Sequence, residues 1–249
     1  MRPPLRAASL VLTAVIVASM ASAPGVPAAP REGPPDPDAP ELGLRERLDA
    51  LFERVRREQQ EMQTLEAEFV QRKESEMLLE AEVARGVFSY RAPDRVRWEF
   101  QAPNPITVVI DDRTMTTWYR DLERADVLSV GRYSDRVLEY LGASGTLETL
   151  LDYFRVEAAF PEDASAPYRL SLDPRYPRIA RRIESMQVWI DRERFLPVRL
   201  RYVEPGGDVT EYRFSDLRVN GEIPPERFEL DLPADVVRRS APAGDAPSE

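Results

Sequence analysis

Gly86-Val-Phe88-Ser-Tyr90-Arg-Ala92-Pro93-Asp-Arg95-Val-Arg97-Trp98-Glu-Phe100-Gln-Ala-Pro103 is the stretch whose reading decides the fold. From Arg95 to Gln101 the alternation is strict. Val96, Trp98 and Phe100 fall on one side of an extended chain, and Arg95, Arg97, Glu99 and Gln101 on the other. Ala92-Pro93-Asp94 is a turn that joins this strand to one over residues 82–90. A strand with one apolar and one polar face belongs to a curved antiparallel sheet that is wet on one side. The apolar face is either a closed core or the wall of a cavity. Periodicity alone does not separate the two.

Outward from this pair the period of two continues. Leu65, Ala67 and Phe69 alternate with Glu66, Glu68 and Val70. Further strands are expected over 106–110, 115–119 and about 125–130, with turns at Pro103-Asn104-Pro105 and Asp111-Asp112-Arg113. Later strands are expected over 154–160, 168–173, 183–190, 197–203 and 209–214, with a short final one over 227–231. Glu204-Pro-Gly-Gly-Asp208 is a hairpin loop. Short strands with turns every 8–12 residues are the pattern of an all-β meander. Two helical pieces interrupt it, over 134–140 and 146–154, split by Gly142-Ala-Ser-Gly145. Leu147, Leu150 and Leu151 share one face of the second. Ahead of the meander, Leu44, Leu48, Leu51, Phe52, Val55 and Met62 have helical spacing, which gives an amphipathic helix of about five turns.

The flanks read differently. Residues 1–23 carry Arg2 and Arg6, an apolar run from Ala7 to Ala18, then small residues, the pattern of a secretory signal peptide. The run falls short of the roughly 20 apolar residues a spanning helix needs. Residues 24–40 are a Pro/Ala-rich linker, 41–239 the folded domain, and 240–249 a polar tail. An export signal with no Cys after it points to a soluble periplasmic protein without a lipid anchor.

The 249-residue chain contains no Cys and no His, and its formal net charge is −10. Without these residues there is no Ser-His-Asp triad, no Cys nucleophile, no His- or Cys-ligated zinc and no disulfide framework. The acidic balance disfavours nucleic acid. Asp111-Asp112 and Asp121/Glu123 lie at expected turns, where Asp is favoured for local hydrogen bonding. No phosphate loop, dinucleotide motif or metal-spaced carboxylate set is present. The expectation is a binding protein: no enzyme, no cofactor, no metal.

The ordered pieces resemble the LolA-type outer-membrane lipoprotein carriers over about Leu44 to Val237. They run Ala67-Glu-Phe69-Val-Gln71, Gly86-Val-Phe88, Pro93-Asp94, Arg97-Trp98-Glu99, Val108-Val-Ile-Asp-Asp112 and Thr117-Trp118-Tyr119. Val188-Trp189-Ile-Asp191, Leu196-Pro197, Glu211-Tyr-Arg-Phe214 and Phe228-Glu-Leu-Asp-Leu-Pro233 follow. The resemblance implies a mainly β fold with helices (α+β), a half-open antiparallel β-barrel with an N-terminal helix and a short helical lid over a hydrophobic cavity. It implies a monomeric carrier. Such a carrier takes lipoproteins by their acyl chains from an inner-membrane release transporter and hands them to an outer-membrane acceptor. Val96, Trp98, Phe100 and Trp118 are then expected in the cavity wall, and Leu147, Leu150 and Leu151 on the lid. The family's latch is an Arg on the strand before the Pro. Here Ala92 directly precedes Pro93, so Arg91 is the latch candidate, with Arg95 and Arg97 as rivals. A one-residue offset reverses the facing of a strand residue unless the turn absorbs it. A sensor module of the same fold, or a carrier of another lipid or glycolipid, are the alternatives.

Overall fold

The computed structural model describes residues 35–101, 103–111, 114–129, 151–234 and 236–241. The first element of the described residues is helix α1 (Leu44–Glu61). The first meander follows: β1 (Thr64–Glu74), β2 (Glu82–Arg91), β3 (Arg95–Phe100), β4 (Ile106–Asp111), β5 (Thr114–Tyr119) and β6 (Arg124–Ser129). The second comprises β7 (Phe154–Ala159), β8 (Tyr168–Pro174), β9 (Ser185–Ile190), β10 (Pro197–Val203) and β11 (Val209–Val219), and β12 (Val237–Ala241) closes the described chain.

Among the described residues twelve strands form one open sheet in the order β12-β6-β5-β4-β3-β2-β1-β11-β10-β9-β8-β7. Each meander is antiparallel, and β12 adds to β6 in parallel. The two meanders meet where β1 pairs with β11, which sets Phe69 opposite Phe214 and Gln71 opposite Tyr212. This is the half-open barrel the resemblance implies. It buries one face and leaves its edges, β12 and β7, unjoined to each other.

Helix α1 forms because Ala50, Leu51, Phe52 and Val55 make one apolar stripe, all buried, between charged residues. Its start is capped from one side, by Glu46, and the first helical bond follows. The Glu46 carboxylate accepts from the Gly43 N–H (2.8 Å), and the Arg47 N–H donates to the Gly43 carbonyl (2.9 Å). The helix packs on the face that carries Phe69, Phe88, Trp98, Tyr212 and Val188, and these residues share one core cluster. At Gly86 β2 and β3 approach closely. A Cβ there would collide with the Glu99 carbonyl oxygen and lie 2.5 Å from Phe69 Cζ, so only glycine fits.

Three expectations need correction. Residues 227–231 are not a strand: Pro225–Phe228 is a 3-10 turn, and extended chain follows. Pro224 and Pro225 open this turn, and the Arg227 and Glu229 N–H groups are spent on the Pro224 and Glu226 carbonyls within it and not on a ladder. The last strand is β12, and it includes Ser240 and Ala241, which were read as tail. The described end of the segment read as linker is fastened to the domain. Pro37 is buried, Arg47 Nε donates to its carbonyl (2.7 Å), and the Asp38 carboxylate accepts from Arg47 (3.0 Å), Arg192 (2.6 Å) and the Tyr168 hydroxyl (2.6 Å).

Candidate functional site

Strand alternation places Val96, Trp98 and Phe100 together on the α1 side of the sheet. All three are buried, and Trp98 is 1% exposed. Trp98 sits at the centre of an aromatic group. Its ring lies 4.8 Å from Phe88, 4.9 Å from Phe69, 5.7 Å from Tyr212 and 6.0 Å from Phe214, mostly edge-on or tilted. The indole N–H of Trp98 is buried without a hydrogen-bond acceptor among the described residues. An unmet donor in such surroundings costs about 1–3 kcal/mol. Gln71 is a buried polar residue on this face, as are Thr117 and Thr210, and its side-chain amide donates to the Tyr212 hydroxyl.

Leu151 packs half-buried against the same cluster. Leu147 and Leu150 lie outside the described residues. Trp118 does not join Trp98. Val108 stands opposite both Trp98 and Thr117, while Thr107 stands opposite Glu99 and Trp118. The two tryptophans therefore occupy opposite faces of the sheet and cannot line one cavity. The expectation for Trp118 failed because its strand carries apolar groups on both sides, with Met115 and Tyr119 buried on the Trp98 side. Phe69, Phe88, Tyr212 and Phe214 were not singled out for the cavity wall, although Phe69, Tyr212 and Phe214 follow the same alternation. What joins them to Trp98 is the long-range pairing of β1 with β11.

The latch candidate is also placed by strand facing. Arg91 pairs with Arg95 on the polar side, Ala92 packs toward the core, and the Arg91 guanidinium donates to the Ile223 carbonyl (3.3 Å). Arg91 thus points away from the Trp98 face. The offset before Pro93 reverses its direction, and the turn does not absorb it. Arg95 pairs with Asp111 (3.1 Å). Arg97 is buried and donates to the Glu99 carboxylate (3.1 Å) and to the carbonyls of Arg227 (3.3 Å) and Glu229 (3.2 Å). What Arg91 and Arg97 fasten is the C-terminal segment, which crosses the polar face.

Under that segment lies a small charged network. Glu99 receives Arg97, Arg227 (3.0 Å) and Arg120 (3.4 Å). Burial pushes the Glu99 carboxyl upward, but the Arg97 guanidinium beside it, with Arg227 and Arg120, outweighs this and holds it below the usual carboxylate range. Arg120 also stacks over Trp118 at 4.9 Å. A cleft of about 460 Å³ between segment and sheet is lined by Arg97, Trp118, Pro224, Glu226, Leu230 and Asp231, among others.

Residues 60–231 match the family model described as outer membrane lipoprotein carrier protein LolA. An outer-membrane lipoprotein carrier protein of Alkalilimnicola ehrlichii is 31% identical over 176 residues, which covers 70% of this chain and 77% of that one. One of Chromohalobacter salexigens is 28% identical over 157 residues, covering 62% and 71%. In shape the chain is similar to the crystal structure of an uncharacterised conserved protein from Thermus thermophilus, with a TM-score of 0.51 at 11% identity over 78% of this chain and 99% of that one. With a buried apolar sheet face under one helix, and a family match that spans both meanders, the chain belongs to the LolA outer membrane lipoprotein carrier family.

Proposed function

We propose that this protein carries lipoproteins through the periplasm by shielding their acyl chains against the Trp98 face of the sheet. The observation that carries the proposal is the continuous apolar face shared by both meanders within a family of lipoprotein carriers. Each methylene withdrawn from water is worth about 0.8 kcal/mol, so a multiply acylated protein does not cross an aqueous space unaided. Val96, Trp98 and Phe100 form the wall that acyl chains meet. Leu151, packed against the same cluster, borders this wall. The unmet Trp98 N–H is a donor suited to an ester carbonyl at the head of an acyl chain.

In this reading the chain is a monomeric binding protein without a cofactor. It receives cargo from an inner-membrane release transporter and yields it to an outer-membrane acceptor. Among the described residues no helix is long and apolar enough to cross a membrane. The test is expression of the full chain in a bacterial periplasm, purification, and mass spectrometry of what travels with it, beside release of lipoproteins from spheroplasts. Bound lipoprotein and stimulated release are expected. A chain that carries a free lipid or glycolipid and releases no lipoprotein would overturn the assignment of cargo.

A further inference from the structure

The polar face of the sheet has two unlike halves. Over β3–β5 the C-terminal segment covers it, with Arg97 tied to that segment and Arg95 paired with Asp111. Over β8, β9, β10, β11, β1 and β2 a row of residues runs straight across the strands. Arg169 stands opposite Trp189, Trp189 opposite Arg199, Arg199 opposite Arg213, Arg213 opposite Val70 and Val70 opposite Arg85. The next row adds Arg201 and Arg72, with Glu211 between them and Glu157 at its end. Two adjacent rows thus hold six arginines against two glutamates, in a chain whose formal net charge is −10.

Part of this charge is neutralised in place. Glu211 accepts from both Arg199 and Arg213 (2.6 Å each), and these bonds overcome burial and hold its carboxyl below the usual range. Arg72 pairs with Glu74 (2.7 Å). Arg85, Arg169 and Arg201 have no carboxylate partner among the described residues, and Arg85 and Arg169 are exposed. The row spans five inter-strand steps, about 24 Å. Trp189 stands within it, half-buried, with the Arg199 guanidinium 4.1 Å above its ring. Val83, 45% exposed, lies beside Arg72.

We propose that this arginine row is a docking surface for an anionic phospholipid membrane. The complement of three guanidiniums without a carboxylate partner among the described residues, spread over about 24 Å of sheet, is a plane of phosphates, since one small anion does not span that distance. Trp and Arg together are the residues that settle at a lipid–water boundary. The acidic remainder of the chain does not cancel the attraction. Fields are screened over about 10 Å at 0.1 M salt, close to the thickness of one packed sheet layer, so the near face governs contact and orients the molecule with this side toward the lipid. The Trp98 face, with the proposed cargo, then points away from the membrane plane. The inference concerns the opposite side of the sheet and stands or falls separately from the carrier reading.

The test is flotation of the full purified chain with phosphatidylcholine vesicles and with vesicles that also contain phosphatidylglycerol. Binding is expected to the anionic vesicles alone, falling as NaCl rises from about 0.1 M to about 0.5 M. Each arginine near an anionic surface contributes about fivefold in affinity, so the Arg85→Gln/Arg169→Gln pair should weaken binding about 25-fold at unchanged thermal stability. Arg45→Gln/Arg57→Gln, on α1 across the sheet, should leave it unchanged. Equal binding to both vesicle types, no binding to anionic vesicles, or equal loss with the α1 pair would overturn the proposal. So would binding of a soluble polyglutamate peptide in place of vesicles. Vesicle binding by a chain that carries no lipoprotein would leave this inference standing and remove the proposed function.

Discussion

Arg97→Leu should cost about 3 kcal/mol of folding stability, and Arg91→Leu less than about 1 kcal/mol. The two residues stand on the same face and both reach the C-terminal segment, so their difference tests what holds that segment. Arg97 has a side chain only 11% exposed and makes three donations, to Glu99, the Arg227 carbonyl and the Glu229 carbonyl. Its removal takes from Glu99, itself 25% exposed, one of three guanidiniums, the most buried of them, and leaves Arg227 and Arg120. Breaking a buried charged pair in this way costs about 3–5 kcal/mol, and the lower end applies because water can reach the freed carbonyls of the half-buried segment. Arg91 makes a single bond of 3.3 Å from a half-exposed position. Chemical denaturation measures the difference. In a domain of this size about 3 kcal/mol lowers Tm by about 6–12 °C. Hydrogen exchange supplies the local readout, since the Glu229 N–H, bonded to the Glu226 carbonyl (3.1 Å), should exchange faster in Arg97→Leu. Equal stability losses in the two variants, or unchanged exchange at Glu229, would refute the reasoning.

Gly86→Ala should destabilise by at least about 2 kcal/mol, measured by thermal unfolding, because the added methyl meets a carbonyl and a ring that cannot both retreat. Trp98→Ala should cost about 3–5 kcal/mol by the cavity it opens among Phe69, Phe88 and Tyr212. Asp38→Ala should cost about 2–3 kcal/mol and expose residues 35–40 to limited proteolysis, since the Tyr168 hydroxyl and two guanidiniums lose their acceptor. The Glu99 carboxyl has a folded value below its unfolded one, so its stabilisation is complete above the unfolded range and is lost as pH falls through the folded value. Glu99→Gln should therefore be less stable than the natural chain at pH 7, and the gap should close as pH drops below about 4, in paired denaturation curves.

Much of the site was legible because strand facing is a local property. A period of two in residues 95–100 fixes which side chains travel together, and burial then follows from the sum of apolar groups on one side. Val96, Trp98 and Phe100 were grouped on that ground alone. Grouping across strands was not legible. Trp98 and Trp118 differ in face because β4 stands between them with Val108 opposite one and Thr107 opposite the other. The facing of Arg91 was not legible for a related reason. The sequence shows that Arg91 is displaced by one from the position before Pro93, but not whether the turn restores its direction.

The amino-acid sequence by itself determined the strand succession, the amphipathic helix, the exclusion of Cys and His chemistry, and the likeness to lipoprotein carriers. These rest on periodicity and composition, which act over a few residues at a time. The tertiary structure decided what depends on contacts between distant segments. It set β1 against β11 across some 140 residues of chain, turned residues 227–231 from an expected strand into a segment held across the polar face, and made Arg97 a buried tether instead of a solvated strand residue. It also aligned arginines from separate hairpins into one row. Register between strands is fixed by the sum of the burial and hydrogen bonding it permits, and no single strand carries that sum.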